Sequence, residues 1–314
     1  MPTETEASVP TEDWLIRLYV AVDTWWQREG CRVVPPRPGP APTCSDAELV
    51  TLALAGEFLE RRSERAWRAE VVADWGHLFP RVPAQSEWNR RVRWLWGAFE
   101  HLRARWVGAV PLAPGAWQAI DTAPLPITHP SRVRHPTCPC SCDWVGVGPV
   151  EGPAGLAAGF GWCPALARWF FGFRLALRTG LTDGLIRGWA IVPAAVDERR
   201  AADGLLAGQR DLGLLTDQGF RSAPWDRCWA AESAVRHLLA PTRQDRARGT
   251  RPPVVEAFVA TFRNRIEATN DTIKDRFHLE RHQAKGFWGL LTRVAAKIAA
   301  YTFAKLWPLD LIAV

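Results

Sequence analysis

Between Thr11 and Gly30, Leu15, Leu18, Val22 and Trp25 recur at three- and four-residue spacing. This predicts an amphipathic helix with Thr11 as its N-cap and Gly30 as its stop. Ser45 and Glu48 stand at capping-box spacing and open a second helix through Leu49, Leu52, Ala53 and Phe58. A third runs from Ser86 to about Trp106, with Trp88, Val92, Leu95, Trp96 and Phe99 turned inward. Between the first two, five prolines within residues 35–42 predict a stiff linker. After Pro114 the pattern changes. Short apolar runs at 116–120, 169–177, 185–192, 212–216 and 235–240 alternate with helical or irregular stretches, the order expected of an α/β domain. Two long helices, about 253–277 and 285–306, close the chain. Residues 128–164 are rich in Gly, Pro and Cys and read as an irregular loop beside the first strand. The division that follows is a disordered tail over 1–10, a helical N-terminal region over 11–110 and an α/β domain over 111–314.

Charge refines this picture. The chain has 314 residues and a net charge of +6, yet only four of its 39 basic residues are lysine (Lys274, Lys285, Lys297, Lys305). A phosphate loop of the Walker type needs a lysine after its glycines, and Schiff-base or kinase chemistry needs one as well; none precedes position 274. The acids gather in residues 1–60, with 10 against 4 bases, while residues 61–106 hold 10 arginines and 5 acids. A basic body behind an acidic front suits a polyanionic partner, with a solvated arginine surface as the alternative. No charged segment followed by an apolar one opens the chain, and no run of 18 apolar residues is free of charge, Pro or Gly, so a cytoplasmic protein with no membrane span is expected. Seven cysteines in such a chain point to thiols or a metal ahead of disulfides.

Candidate chemistry lies in three acids. Asp121 ends the apolar run Trp117–Ile120 and Asp217 ends Leu212–Thr216, so each would stand at the carboxyl end of a buried strand, where α/β folds build sites. Neighbouring strands would set the two carboxylates side by side, a pairing that needs a cation or a proton; a capping or turn aspartate is the alternative for each. In the helix that follows, Arg263, Glu267, Asn270 and Lys274 form a polar stripe at i, i+4, i+7 and i+11, next to an apolar stripe of Val255, Phe258, Phe262, Ile266, Ile273 and Phe277. Taken alone, that stripe also fits a surface ladder of ion pairs. His135, Cys138, Cys140 and Cys142, with His129 and Cys163 nearby, are a candidate zinc set, although alternating cysteines depart from the usual two- to four-residue spacing. Arg243, Arg246, Arg248 and Arg251 lie in a loop ahead of the Glu267 helix and could contact phosphates. Trp169 and Trp288 are candidates for stacking on unpaired bases, with core packing as the alternative. No dinucleotide fingerprint, His-Glu-x-x-His or Gly-x-Ser-x-Gly is present.

Arg263, three residues, Glu267, six residues, Lys274 is the spacing of the Tyr-Arg-Glu-Lys signature, with Ala260 at the tyrosine position. Ser45-Asp-Ala-Glu-Leu-Val, Ile120-Asp-Thr-Ala-Pro-Leu, Trp169-Phe-Phe-Gly-Phe-Arg-Leu, Val196-Asp-Glu-Arg, Thr216-Asp-Gln-Gly-Phe and the segment Arg281–Tyr301 follow in matching order. Over roughly residues 45–305 the chain thus resembles the DDE transposases of bacterial insertion sequences. The resemblance implies an RNase H-like mixed sheet flanked by helices, preceded by an all-helical region that binds DNA or makes dimer contacts. It implies Asp121, Asp217 and Glu267 as a catalytic triad holding Mg²⁺, with Mn²⁺ as a substitute, and Arg263 and Lys274 as phosphate contacts. It further implies cleavage of double-stranded DNA at element ends, strand transfer into target DNA, a homodimer on DNA and a place in the bacterial nucleoid. A catalytically retired DNA-binding descendant, an RNase H-like nuclease without strand transfer and a zinc-stabilised interaction module remain as alternatives.

Overall fold

The computed structural model describes residues 11–133, 158–163, 167–241 and 251–307. The expected tail over 1–10 lies outside them. The chain divides into two compact units, Met1–Ala109 with Thr292–Val314, and Val110–Leu291.

The first unit is helical. Its elements are α1 (Thr11–Trp25), a π-helical turn (Trp26–Gly30), the short α2 (Cys31–Val33), α3 (Asp46–Phe58), α4 (Glu64–Asp74), α5 (Gln85–Trp94) and α6 (Trp96–Gly108). Gly30 does not stop the first helix, because its backbone is itself helical and the chain continues into α2. The glycine is needed for another reason: a Cβ there would lie 2.8 Å from the rings of Trp25 and Trp26. Both halves of the Ser45 capping box form, with Glu48 N donating to Ser45 Oγ at 3.0 Å and Ser45 N to Glu48 Oε2 at 2.6 Å. The helix expected over 86–106 is two helices that turn at the fully buried Leu95. The proline segment is packed rather than a free linker. Arg37 and Arg91 both bind Asp46, at 2.7 and 2.8 Å, Trp94 Nε1 donates to the Pro35 carbonyl, and the segment walls a cavity of about 770 Å³.

The last helix, α10 (Phe287–Leu306), contributes residues from Thr292 onward to this unit. The reason is aromatic packing. Phe303 meets Trp14, Phe58 and Trp106 at centroid distances of 5.5, 5.9 and 5.6 Å, and Lys297 Nζ reaches Glu57 Oε2 at 2.5 Å.

The second unit is built on a six-stranded mixed sheet: β1 (Trp117–Thr128), β2 (Gly159–Cys163), β3 (Arg168–Gly180), β4 (Ile186–Pro193), β5 (Gly213–Thr216) and β6 (Arg236–Leu239). The order is β2-β3-β1-β5-β6. β3 pairs antiparallel with β1 on one edge and with β2 and then β4 on the other, while β1, β5 and β6 run parallel. Two expectations are corrected. The first strand runs on to Thr128 through Pro124 and Pro126. Two residues apart, these prolines face one edge of the strand, an edge with no strand partner there among the described residues because β5 pairs only with Trp117–Ala119. The stretch 128–164 also contains a strand, β2.

Alternation along the strands sorts the core into two layers. Ile120 and Leu214 face one side, with Leu205 of α7 (Glu198–Leu206) and with Trp225 and Trp229 of α8 (Ala223–Ser233). Ala119 and Leu215 face the other, against Val255, Phe258, Val259 and Phe262 of α9 (Pro253–Asp271). α9 continues through a π-helical turn over Thr272–Arg276. Helices on both faces of a mixed sheet, preceded by a helical region, are the arrangement of an RNase H-like core. No helix among the described residues is long and apolar enough to cross a membrane.

Candidate active site

Parallel pairing of β1 with β5 sets Trp117, Gln118 and Ala119 opposite Gly213, Leu214 and Leu215. The same offset carried two residues further puts Asp121 opposite Asp217. Asp217 directly follows β5 and caps a short 3₁₀ turn, its Oδ1 accepting from Gly219 N at 2.9 Å. Asp121 is not a strand-end residue as its sequence context suggested, but the fifth residue of a twelve-residue strand. Its Oδ1 accepts from Thr122 N at 2.8 Å, and its Oδ2 accepts from the amide of Asn270 on α9. The Asp121 carboxyl is pushed up to about 6. Burial is the main cause, and the facing Asp217 and Glu198 add to it; the Thr122 amide and Lys274 pull the other way.

The strand end that carries Asp217 is itself held. Thr216 Oγ1 lies 2.7 Å from His237 Nε2, and His237 Nδ1 lies 2.6 Å from Asp226 Oδ1. With the proton on Nδ1, the imidazole donates to Asp226 and accepts from Thr216.

Glu198, at the start of α7, is the residue that sequence reasoning did not single out. Its Oε1 accepts from Thr122 Oγ1 at 2.8 Å and from Arg174 Nη1 at 2.7 Å. Arg174 is fixed in turn by the carbonyls of Ala194 and Trp162. A Cβ on Gly219 would stand 2.9 Å from Glu198 Oε2 and 3.1 Å from Asp217 Oδ1, so the two carboxylates flank the same glycine.

Of the polar stripe on α9, Asn270 touches Asp121 and Lys274 acts on it electrostatically. Glu267 is exposed one turn before Asn270, on the neighbouring part of the helix surface. Arg263 lies on the same helix, its side chain outside the description. Arg251 holds the Leu239 carbonyl through Nη1 at 2.7 Å, whereas Arg243, Arg246 and Arg248 lie outside the described residues. So do His135, Cys138, Cys140 and Cys142; the four described cysteines, Cys31, Cys44, Cys163 and Cys228, are free thiols. Among the described residues no three His, Cys, Asp or Glu side chains converge closely enough to hold a metal ion. The fold gathers the Asp121–Asp217 pair, with Glu198 beside it and Asn270 against it.

Comparison with known proteins adds one positive finding. No curated protein matches the chain. Residues 120–303 match the transposase DDE domain, a span that starts one residue before Asp121 and contains Asp217, Glu198, Glu267 and Lys274. This match covers more than half of the 314 residues, and the chain belongs to the transposase DDE domain family.

Proposed function

We propose that the protein is an insertion-sequence transposase of the Tyr-Arg-Glu-Lys branch, cutting double-stranded DNA at the ends of its element and joining the freed ends to target DNA. The observation that carries this reading is the parallel register of β1 with β5, which, carried two residues past its last pair, sets Asp121 against Asp217 inside the matched domain. Hydrolysis breaks a P–O3′ bond at the element end and leaves a 3′-hydroxyl. In strand transfer that hydroxyl attacks a target phosphodiester, whose own 3′ oxygen leaves and takes up the proton.

The donor set suits a hard divalent cation. Asp121, Asp217 and Glu198 offer carboxylate oxygens, and their mutual repulsion and the burial of Asp121 already favour a proton on it. Asp121, Asp217 and Glu267 would hold Mg²⁺ or Mn²⁺, with Glu198 beside them. When bound there, such an ion would supply activation of the attacking oxygen and neutralisation of charge on the leaving one. Asn270 orients the Asp121 carboxylate. Arg263 and Lys274 would hold phosphates flanking the scissile bond, and the loop with Arg243, Arg246, Arg248 and Arg251 would follow the DNA backbone. Work on two element ends calls for a homodimer on the DNA, in the bacterial nucleoid.

A second reading, a DNA-binding descendant without turnover, is favoured by the lack of three converging metal ligands among the described residues. One assay separates them. DNA flanking the gene is incubated with Mg²⁺ or Mn²⁺ and either the wild type or Glu267→Gln. Metal-dependent nicks at one pair of positions, absent with the variant, are expected. Salt-sensitive binding without nicks from either protein establishes the descendant instead.

A further inference from the structure

β5 is buried at all four of its positions, and a strand covered on both faces is usually apolar throughout. It ends instead on Thr216, which is 3% exposed. The Thr216 hydroxyl meets His237, whose side chain is 5% exposed, and His237 meets Asp226. Polar groups buried at a strand end cost stability that valine or leucine would not, so packing does not explain them. We propose that His237 is a positioning residue for Asp217, acting through the Thr216 hydroxyl, an inference that rests on the metal-dependent transposase reading above.

Asp217 stands where the sheet thins. β1 pairs with β5 only as far as Leu215, so β6 alone pairs with Thr216. From that side β6 and the residue after it grip both sequence neighbours of the aspartate. Ala240 N donates to the Thr216 carbonyl at 2.7 Å, and the Gln218 amide donates to the Ala240 carbonyl. The Thr216 hydroxyl has one proton and two acceptors in reach, His237 Nε2 at 2.7 Å and the Asp217 carbonyl at 3.3 Å. With Asp226 holding the ring proton on Nδ1, the nearer Nε2 takes it. The Asp217 carbonyl is left to accept from Phe220 N at 3.4 Å, the bond that closes the turn presenting the carboxylate. Without the imidazole the hydroxyl swings to that carbonyl and competes with the turn.

A role confined to docking α8 does not account for this chain. Trp225 and Trp229 both donate to Asp203 Oδ1 on α7, at 2.7 and 2.9 Å, and they pack on the cluster of Leu214 and Phe220. α8 is therefore fastened without Asp226, whose carboxylate serves the ring instead.

The test uses the full-length protein with Mn²⁺ alone, its free fraction read by electron paramagnetic resonance, so that binding is seen without turnover. Asp217→Asn marks the site by abolishing the tightest Mn²⁺ binding. Thr216→Val removes the hydroxyl at similar shape, and His237→Phe keeps the edge-to-face contact with Trp225, whose centroid lies 5.3 Å away. Each is expected to weaken that binding roughly 10- to 100-fold. Thr216→Ser recovers it. The double variant loses no more than His237→Phe alone, because both cut one chain. Trp229→Phe, which removes a bond to Asp203, lowers the melting temperature and leaves Mn²⁺ binding as in the wild type. Single-turnover nicking of the flanking duplex falls with Mn²⁺ binding, while affinity for that duplex stays. Unchanged Mn²⁺ binding in Thr216→Val and His237→Phe, or an equal loss in Trp229→Phe, overturns the positioning role and leaves the transposase reading in place. A wild type that binds no Mn²⁺, or whose binding survives Asp217→Asn, overturns the metal-dependent reading and this inference with it.

Discussion

Asp121 carries the clearest single-residue consequence. Its carboxyl titrates at about 6 in the fold, above the ordinary aspartate value. The folded chain therefore holds a proton that the unfolded chain has released. Stability falls as pH rises from about 4 to 6, and above that the ionised group costs on the order of 3 kcal/mol. Asp121→Asn removes that cost but keeps only one acceptor for the two donors, Thr122 N and the Asn270 amide. In metal-free buffer the variant should melt a few degrees above the wild type at pH 8 and not at pH 4.5, while losing cleavage; scanning fluorimetry at both values checks this. Glu198→Gln tests the neighbour. Glutamine can still accept from Thr122 and Arg174, but one of the two charges that add to the effect of burial on Asp121 is gone, so the acid limb of the pH–cleavage profile should move downward. An unmoved limb removes Glu198 from the electrostatics of the site. The two aspartates were legible because each follows an apolar run. Glu198 lay inside the matching segment Val196-Asp-Glu-Arg but was not singled out, since an acid in the first turn of a helix is what the helix dipole favours anyway.

At the scale of elements, Gly172 is a joint. It sits where β3 passes from β2 to β4 as its edge partner, with φ at +155°, and a Cβ would lie 2.2 Å from the Leu125 carbonyl oxygen. Gly172→Ala should cost about 3 kcal/mol or more and loosen the β1–β3 ladder; thermal melting and exchange protection of the β1 amides check it. Sequence pattern located the strands through their apolar runs and the α3 start through Ser45 and Glu48. It missed β2, whose Gly159-Phe-Gly-Trp-Cys163 pattern has glycines where a strand usually shows side chains. It also missed the turn at Leu95, because positions 88, 92, 95, 99, 102 and 106 keep a helical period straight through it. The proline segment looked like a spacer because composition reports stiffness, not the ion pairs Arg37 makes with Asp46.

For the whole molecule, the matched domain and the ordered motifs agree on the transposase DDE family, whereas the membership of the closing helix could not be read along the chain. Its apolar residues satisfy any core, and only the rings of Trp14, Phe58 and Trp106 around Phe303 decide which. A chain ending at Leu291 lacks Phe303 and Lys297. It should lose the cooperative melting of the helical unit, measured by calorimetry, and expose that unit to limited proteolysis.

The split of that unit across the chain also sets a timetable. At about 5–20 residues per second, the helices made first wait on the order of ten to forty seconds on the ribosome for the segment that completes their core. Through that interval the unit built on the sheet is already made while its helical companion is unfinished. A transcript cut short before Thr292 would then yield a product open to degradation, so that resistance to proteases arrives only with the last turns to be synthesised.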